Sequence, residues 1–340
     1  MSERLVVLAP NWLGDAVMAL PAFADLRRHF SSAHIAVAAR PSVAPIYGMV
    51  SGVDQVITLP GGGGWRAWTG WREDVRALEA GSFDTAILFP NSYGTARNVL
   101  KAGIRERWGY ATDGRGRLLT RAIDTPGGEV HQRAYYQALT TALGIPEGPP
   151  FASVRPDSAK AKQLLREVGL DIDEPFIVFA PGAAYGRAKQ WLPERYAELA
   201  DLIINERGWS VMMVGAAVDR SACEDIARRL PKKGTRINRL IDFCGKSDLA
   251  TLAGILGEAH AVVSNDSGAM HLAAAVGTKV IGIFGPTRDR QTSPLASGPD
   301  APAPVVVTHE VFCRPCMLRE CPIDHRCMRR IAARRVFEAI

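Results

Sequence analysis

The stretch RLVVLAPNWLGDAVMALPAFADLRRHF, residues 4–30, decides the fold class. A short aliphatic run at its start is typical of a buried strand, and an apolar stripe with helical spacing follows. The stripe consists of Ala16, Leu20, Phe23 and Leu26. Pro21 interrupts this helix, because proline lacks the N–H donor and clashes with the preceding turn. A strand that leads directly into a helix is the repeating unit of a parallel sheet.

The same alternation of strand and helix continues toward residue 143. HIAVAA precedes a predicted helix at 42–49, and FDTAILF precedes one near 95–102. Four prolines and two glycines then break the pattern in GIPEGPPFASVRP, residues 144–156, which indicates a linker. The alternation resumes with PFIVFAPG, WSVMMVGA, AHAVVSNDSG and TKVIGIFGP. We therefore expect two α/β domains with doubly wound parallel sheets, and a cleft between them.

The predicted boundaries follow from this pattern. Residues 1–155 form an N-terminal domain, 156–325 a C-terminal domain, and 326–340 a C-terminal helix that packs back toward the N-terminal domain. The chain of 340 residues is long enough for two cores.

Composition excludes several classes of protein. Apolar runs stay well below the roughly 18 residues that span a bilayer, and the first residues resemble a strand more than a signal peptide. The net charge of +6 comes without long cationic runs, which disfavours nucleic acid and weakly favours an anionic or membrane-surface substrate. We expect a cytoplasmic protein.

Two loops of the second domain are candidates for binding phosphate. FAPGAAYGRAKQW places Lys189 before a helix that begins near Pro193, without the spacing of a nucleotide-binding P-loop. In SNDSGAMHLAAAVG, Ser267 and Gly268 would let a diphosphate approach a helix N-terminus. Alternatively, Asp266 or Ser267 only caps the helix, and the alanines only allow close packing.

Three further polar residues have both a functional and a structural interpretation. His271 lies on the same helix and is either a ligand contact or a buried structural histidine. Asp219 follows a strand, as do acids that bind ribose, but it can equally cap the next helix. Asp15 stands where the first strand turns into its helix, and there too a capping role is the alternative.

Other patterns point away from cofactor chemistry. The first strand is not followed by G-x-G-x-x-G, which disfavours a nicotinamide enzyme. The Asp171-x-Asp173 pair lies before a strand and is better explained as a solvated turn than as a metal site. In WRAWTGWREDVRAL, Trp68, Trp71, Val75 and Leu78 share one helical face, and Arg72 lies on another. The tryptophans fit a core, and Arg72 is a candidate contact for anions or a solvated side chain.

Four of the six cysteines cluster near the C-terminus. CRPCMLRECPIDHRC spaces Cys313, Cys316, Cys321 and Cys327 as C-x2-C-x4-C-x5-C, with His325 among them. Such a set suffices for a tetrahedral metal site or an iron–sulfur cluster. Because the spacing differs from a standard zinc ribbon, reduced thiols packed under the tail are the favoured interpretation, and we assign no metal site.

Four segments together resemble glycosyltransferase family 9. They are NWLGDAVMALPAFADLR, LFPNSYGTARNVLKAGIRERWGY, PGAAYGRAKQWLPERYAELADLI and SNDSGAMHLAAAVGTKVIGIFGPT. The resemblance is strongest to the heptosyltransferase II branch. It implies a GT-B fold and inverting, metal-independent transfer of L-glycero-D-manno-heptose from ADP-heptose to the heptosylated inner core, Hep-Kdo-lipid A, without a cofactor.

The resemblance also implies roles for individual residues. The catalytic base falls on Asp15 and the diphosphate-binding lysine on Lys189. The remaining donor-binding positions are Asp219, Asp266, Ser267, Gly268 and His271. We assign acceptor binding to Asn11, Gly14, Asn91 and Arg72. Ala183 and Ala184 replace the hydroxyl side chains of some relatives, so phosphate contacts there would come from the backbone or from Lys189.

This assignment agrees with the chemistry. A carboxylate must take the proton of the attacking hydroxyl, and Lys189 with a helix N-terminus would stabilise the departing ADP. We expect a monomer that works peripherally at the cytoplasmic face of the inner membrane. A transferase or epimerase for another nucleotide sugar is the alternative enzyme. A nucleic-acid-associated protein is disfavoured, because no aromatic residues interleave with the arginines of the tail.

Overall fold

The computed structural model describes residues 4–61, 69–231 and 237–340. The chain divides into two compact units, Met1–Arg155 and Pro156–Ile340. The division falls at the boundary predicted from the Pro- and Gly-rich segment. Trp68, which we expected in a helix core, lies outside the described residues.

The first unit is built on a parallel sheet with the order β3-β2-β1-β4-β5-β6. Its described strands are β1 (Arg4–Leu8), β2 (His34–Ala39), β3 (Gln55–Thr58), β4 (Thr85–Leu88), β5 (Glu106–Tyr110) and β6 (Arg121–Ile123). Its described α-helices are α1 (Leu13–Met18), α2 (Leu20–His29), α3 (Ala44–Tyr47), α4 (Gly70–Ala80), α5 (Tyr93–Lys101) and α6 (Gln132–Ala142). The continuous apolar strands β1, β2 and β4 are buried, as expected for a sheet covered on both faces.

The helix predicted to be interrupted at Pro21 is two helices. The first ends at Met18, Ala19 joins them, and Pro21 lies in the first turn of α2. Proline is tolerated in a first turn, because the N–H group that it lacks has no helical acceptor there. The break therefore falls just before the proline, at Ala19.

The second unit repeats this architecture. Its sheet is also parallel, with the order β12-β11-β10-β7-β8-β9. Its described strands are β7 (Phe176–Ala180), β8 (Ser210–Met213), β9 (Leu240–Asp242), β10 (Ala261–Asn265), β11 (Lys279–Phe284) and β12 (Val305–Thr308). Its described α-helices are α7 (Ser158–Glu167), α8 (Pro193–Leu202), α9 (Arg220–Arg229), α10 (Leu249–Glu258), α11 (Gly268–Ala275), α12 (Asp289–Thr292), α13 (Arg326–Arg329) and α14 (Ala333–Phe337).

Both sheets have the strand order of a doubly wound fold. In each, the first and fourth strands of the unit are central neighbours, β1 beside β4 and β7 beside β10. The connections leave this point in opposite directions, so a crevice opens at the carboxyl ends of the two strands, where such folds bind ligands.

The end of the chain differs from its prediction. Residues 326–340, expected to pack back toward the N-terminal domain, contribute Met328, Ile331 and Val336 to the hydrophobic core of the second unit. Helix α14 packs on α8 there. These apolar side chains are fully buried, and such burial, worth about 1.5–3 kcal/mol for each large aliphatic side chain, holds the segment on this unit.

None of the helices within residues 4–61, 69–231 and 237–340 has the length and apolar character needed to span a bilayer.

Candidate functional site

Asp15 lies at the central crevice of the first unit. Strand β1 ends at Leu8, a short loop follows, and α1 begins at Leu13 with Trp12 in the N-cap position. Asp15 is therefore in the first helical turn, and the interpretation of it as the N-cap is wrong. Its carboxylate is near the phenol of Tyr136 on α6. Burial, and after it the negative charge of Asp15, raises the pKa of Tyr136 well above its ordinary value.

A cavity of about 200 Å³ lies beside this loop in the first unit. Asn11, Arg40, Trp71 and Arg97 contribute to its lining. Trp71 stands under the Arg97 guanidinium, whose carbon lies 4.9 Å from the centre of the indole ring. Two cations and an aromatic face suit an anionic or sugar-bearing ligand.

Asp74 anchors this cavity from below. Its carboxylate is 2.9 Å from Arg40 Nη1 and accepts the backbone N–H of Gly61 at 2.8 Å. The Asn98 amide donates to it at 3.4 Å. Asp74 is 2% exposed, so it is a structural anion that fixes Arg40. The sequence analysis missed Arg40, Asp74 and Arg97.

The loop after β4 carries Asn91, whose Nδ2 donates to the Tyr135 hydroxyl at 2.8 Å. Arg115 is buried under this loop, where it donates from Nε to the Tyr110 carbonyl at 2.8 Å and from Nη1 to the Pro90 carbonyl. Desolvation lowers the pKa of Arg115 to about 10, so the guanidinium stays charged at neutral pH. This buried cation, which the sequence analysis did not select, orders the loop that presents Asn91.

The other predicted acceptor residues differ in their surroundings. Gly14 is half-buried in the first turn of α1, beside Asp15. Arg72 is exposed on α4, with its guanidinium over Trp71 at 5.5 Å, and it is not among the residues that line the cavity. Trp71 therefore has an arginine on the cavity side, Arg97, and another on the exposed side, Arg72.

In the second unit, the structure joins two loops that the sequence analysis treated separately. Lys189 Nζ lies 2.6 Å from Asp266 Oδ2, and the Thr287 hydroxyl donates to the same oxygen at 2.7 Å. Lys189 ends a short 3₁₀ turn after β7, and Asp266 directly follows β10. The pair thus stands at the central crevice of this sheet. Tyr185 lies under the ammonium group, which is 4.9 Å from its ring centre.

Asn265 holds these loops together from inside. Its Oδ1 accepts the backbone N–H of Trp191 at 3.0 Å and the hydroxyl of Tyr196 at 3.1 Å. Its Nδ2 donates to the Pro181 carbonyl at 2.6 Å. Asn265 is fully buried, so these contacts fix the loop from Pro181 to the start of α8. The sequence did contain a signal for Asn265, because it is a polar residue at the end of the apolar strand AVVSN.

Ser267 and Gly268 begin α11 as predicted. Ser267 occupies the N-cap position, but its Oγ lies 3.1 Å from Ser264 Oγ, within the preceding strand end. Gly268 is the first helical residue, and His271 is buried on the following turn. The first N–H groups of a helix lack acceptors within it and favour an anion. Asp266 is bound to Lys189, so its interpretation as a helix cap is wrong.

Asp219 stands against the start of the Lys189 loop. A Cβ added to Gly182 would lie 2.4 Å from the carboxyl carbon of Asp219, so only glycine fits there. The carboxylate accepts the backbone N–H of Ala216 at 3.0 Å, which closes the turn before α9. Burial raises the pKa of Asp219, against the lowering effect of this hydrogen bond. Asp219 occupies the N-cap position of α9, as the capping interpretation predicts, although its carboxylate bonds to the preceding turn, and ribose binding remains a prediction.

Within the described ranges, three side chains of types that can ligate a metal ion lie close together in one place. The ligand atoms of Cys223, Asp242 and Cys244 all lie within 4.8 Å of one another. The pair Asp171 and Asp173 forms a turn, in which Asp171 Oδ1 accepts the N–H of Asp173 at 3.0 Å.

Comparisons with known proteins agree with this geometry. The model of glycosyltransferase family 9 (heptosyltransferase) matches residues 71–326. The chain is 32% identical over 309 residues to lipooligosaccharide heptosyltransferase 2 of Haemophilus influenzae, with 86% of each chain covered. It is 28% identical over 301 residues to lipopolysaccharide heptosyltransferase 2 of Escherichia coli K12, again with 86% of each covered.

The solved structure of E. coli ADP-heptose lps heptosyltransferase II is similar over 99% of this chain and 97% of that chain, with a TM-score of 0.84 and 25% identity. E. coli heptosyltransferase WaaC with ADP shares the fold with a TM-score of 0.73, 19% identity and 98% coverage of both chains. The predicted GT-B class is confirmed. With a family match over most of its length and two doubly wound units of the expected order, the chain belongs to glycosyltransferase family 9, the heptosyltransferases.

Proposed function

We propose that this heptosyltransferase transfers L-glycero-D-manno-heptose from ADP-heptose to the heptosylated inner core of lipopolysaccharide, Hep-Kdo-lipid A, with inversion and without a metal ion. The observation that carries the proposal is the position of Lys189, which is held by Asp266 beside the N-terminus of α11 at the central crevice of the second unit. The names of the similar heptosyltransferases support the donor and the acceptor class.

The donor diphosphate binds at this site. Lys189 directs one N–H toward Asp266 and has two further donors for phosphate oxygens. The backbone at Ser267 and Gly268 supplies the helix N-terminus. Asp219, which borders the same loop, takes the ribose hydroxyls, and His271 supports the helix from within. Together these groups stabilise the negative charge that ADP gains as the glycosidic bond breaks.

Asp15 acts as the general base. The acceptor oxygen forms a bond with the anomeric carbon, its proton passes to the Asp15 carboxylate, and the electrons of the broken C–O bond leave with the β-phosphate of ADP. A single displacement with one base inverts the anomeric configuration. The placement of Asp15 in the first turn of α1, directly after β1 and partly exposed, supports this role.

The cavity beside the loop between β1 and α1 is the acceptor site. Kdo carries a carboxylate, and the Arg40 and Arg97 guanidinium groups that line the cavity are suitable partners for it. Asn11 lies on the same lining, and Gly14, Asn91 and Arg72 extend the site around it. The protein acts as a monomer at the cytoplasmic face of the inner membrane, where its lipid-linked acceptor is made.

The test is transfer by the purified protein. ADP-heptose and mono-heptosylated Kdo-lipid A are supplied in parallel reactions without and with EDTA, and ADP release, product mass and anomeric configuration are measured. Asp15→Asn is expected to lower kcat about 10²- to 10⁴-fold while donor binding is kept. Asp124→Asn, at an exposed acid of the same unit, is the matched control.

Three outcomes decide between the hypotheses. Absence of ADP release by the wild type contradicts the function. Full activity of Asp15→Asn contradicts only the mechanism. Faster turnover with another nucleotide sugar, or epimerisation of the donor without transfer, supports the alternative enzyme.

A further inference from the structure

We propose that the C-terminal cysteines form a structural site for one thiophilic divalent metal ion of the Zn²⁺ class. Cys313, Cys316, Cys321 and Cys327 line one small cavity in the second unit. Four thiolates complete a tetrahedral coordination shell, as in closed structural zinc sites. The cavity has a volume of about 20 Å³, roughly the space for one water-sized particle, which suits a single ion.

The backbone around the cavity turns toward it. Met317 directly follows Cys316 with φ of 56°, and His325 has φ of 57°, a left-handed conformation that is uncommon outside glycine. The backbone N–H of His325 donates to Cys321 Sγ at 3.3 Å. Such a bond favours sulfur that carries negative charge, as a metal-bound thiolate does. The His325 ring is engaged elsewhere, since its Nε2 lies 2.7 Å from the Ala188 carbonyl.

The four cysteines differ in their exposure to solvent, and two arginines stand beside them. Arg314 and Arg326 line the same cavity, where Arg314 is ion-paired with Asp289 and Glu310, and Arg326 with Asp324. The thiolate is the form of cysteine that binds a metal ion. Cys327 is buried, Cys313 and Cys321 are half-buried, and Cys316 is exposed. A metal ion can therefore enter the cavity from solvent past the exposed Cys316.

The tail has little apolar packing of its own. From residue 309 to residue 325 the described chain contains neither helix nor strand. Its large apolar side chains face solvent: Phe312 is 80% exposed, Leu318 44% and Ile323 52%. A segment that buries so little apolar surface gains order from a metal cross-link, because ligand binding then supplies folding free energy.

Coordination requires the sulfur atoms to approach one another. The tail cysteines are not part of the cluster whose ligand atoms lie within 4.8 Å, which is Cys223, Asp242 and Cys244. Zn–S bonds of about 2.3 Å in a tetrahedron place sulfurs ~3.8 Å apart. Cys313, Cys316 and Cys321 lie in irregular chain, so they can approach Cys327 near the start of α13 without breaking a helix or a strand.

The metal-stabilised tail would position the donor-site lysine, a consequence that rests on the proposed function. The tail is bonded to the loop of Lys189 at three places. The N–H of Ala188 donates to the Arg319 carbonyl at 2.9 Å, His325 contacts the Ala188 carbonyl, and the Tyr185 hydroxyl donates to the Met317 carbonyl at 2.8 Å. An ion that fixes residues 313–327 therefore also fixes the residue adjacent to Lys189.

The experiment measures metal content in the full chain. Protein purified under reducing conditions is supplied with Zn²⁺, desalted and analysed for metal, and we expect about one zinc ion per chain. Cys316→Ser, at the exposed cysteine, is expected to lower zinc affinity at least about tenfold with little effect on folding. Cys223→Ala is the matched control, because it removes a thiol from the other cluster, and it should keep the ion.

A second measurement does not depend on the variants. Co²⁺ bound in place of zinc should show thiolate-to-metal charge-transfer absorption, which Cys316→Ser weakens and Cys223→Ala leaves unchanged. Wild-type protein without stoichiometric zinc overturns the site, as does a zinc content that Cys223→Ala abolishes and Cys316→Ser does not change. A normal zinc content in a protein without transferase activity would refute the proposed function and leave the metal site intact.

Discussion

Replacement of Lys189 by methionine probes the ion pair at the crevice of the second unit. The Lys189 side chain is 14% exposed and that of Asp266 is 6% exposed, and their charged atoms are 2.6 Å apart. Removal of the lysine leaves the carboxylate in a nearly dry site, where the Thr287 hydroxyl still donates to it. The loss of one partner from a buried pair lowers the free energy of unfolding by about 3–5 kcal/mol. Because water reaches the ammonium group, we expect the free energy of unfolding to fall by about 3 kcal/mol, the lower end of this range.

Replacement of Asp266 should destabilise the second unit less than replacement of Lys189. In Asp266→Asn the lysine keeps its charge, and its flexible stem lets the ammonium turn toward solvent. Loss of a hydrogen bond to a charged group then lowers stability by about 2 kcal/mol. The double variant contains no unpaired charge, and the amide oxygen introduced by Asp266→Asn would still accept from Thr287. We therefore expect the double variant to lose about 2 kcal/mol in free energy of unfolding, which is well below the sum of the losses in the two single variants.

Urea denaturation measures these differences in the second unit. Alkylation of Cys223, which is fully buried in that unit, reports its unfolding when peptides are analysed by mass spectrometry. With a slope of about 2 kcal/mol/M, Lys189→Met should lower the urea midpoint by about 1.5 M. The double variant should regain stability without regaining affinity for ADP-heptose. A double variant as unstable as the sum of the single variants would refute a charge-based coupling.

Three other changes test the surrounding structure. Asn265→Ala leaves three buried polar groups without their partner and should destabilise the second unit by about 3 kcal/mol, measured in the same alkylation assay. Burial raises the pKa of Asp219, so the folded state holds this proton to higher pH than the unfolded chain, and stability falls as pH rises from the ordinary value of about 3.9. Asp219→Asn should therefore exceed the wild type in stability at about pH 7 and equal it near pH 3, in urea titrations across pH. Ile331→Ala should lower the free energy of unfolding of the second unit by about 2–5 kcal/mol, and an unchanged urea midpoint would contradict the packing of the C-terminal segment there.

Local patterns in the sequence predicted the strands and the order of the loops. The runs RLVVL, HIAVAA and FIVFA are largely apolar and bounded by turn residues, so their assignment to a doubly covered parallel sheet needed no tertiary information. The beginning of α8 at Pro193 was predicted because proline is favoured in a first turn. Loops that follow such strands are brought to one edge of the sheet, and this alone brought Lys189 and Asp266 into the same region.

The contacts within the site depend on long-range partners, which local patterns do not reveal. Asn265 bonds to Trp191, 74 residues away, and Thr287 reaches Asp266 from the loop after the next strand. A lone arginine between glycines is typical of a solvated turn, whereas the fold buries Arg115 under the β4 loop. In each case the side chain is polar and buried, and burial depends on elements that are distant in the sequence.

The repeated strand order places the proposed base and the proposed diphosphate-binding lysine at equivalent positions of the two units. Asp15 follows β1 and Lys189 follows β7, the first strand of each unit, while Asn91 and Asp266 follow the fourth strands, β4 and β10. The loop after β1 is short and enters α1 at once, so it can present a carboxylate only from the helix itself. The loop after β7 is longer and is held by Asn265, Asp219 and the cysteine tail, all of which contact its backbone. A long loop with three supports can hold a cation beside a helix N-terminus, where an unsupported lysine would turn to solvent. These three contacts, which hold the loop in place, thus explain why the proposed diphosphate site lies in the second unit.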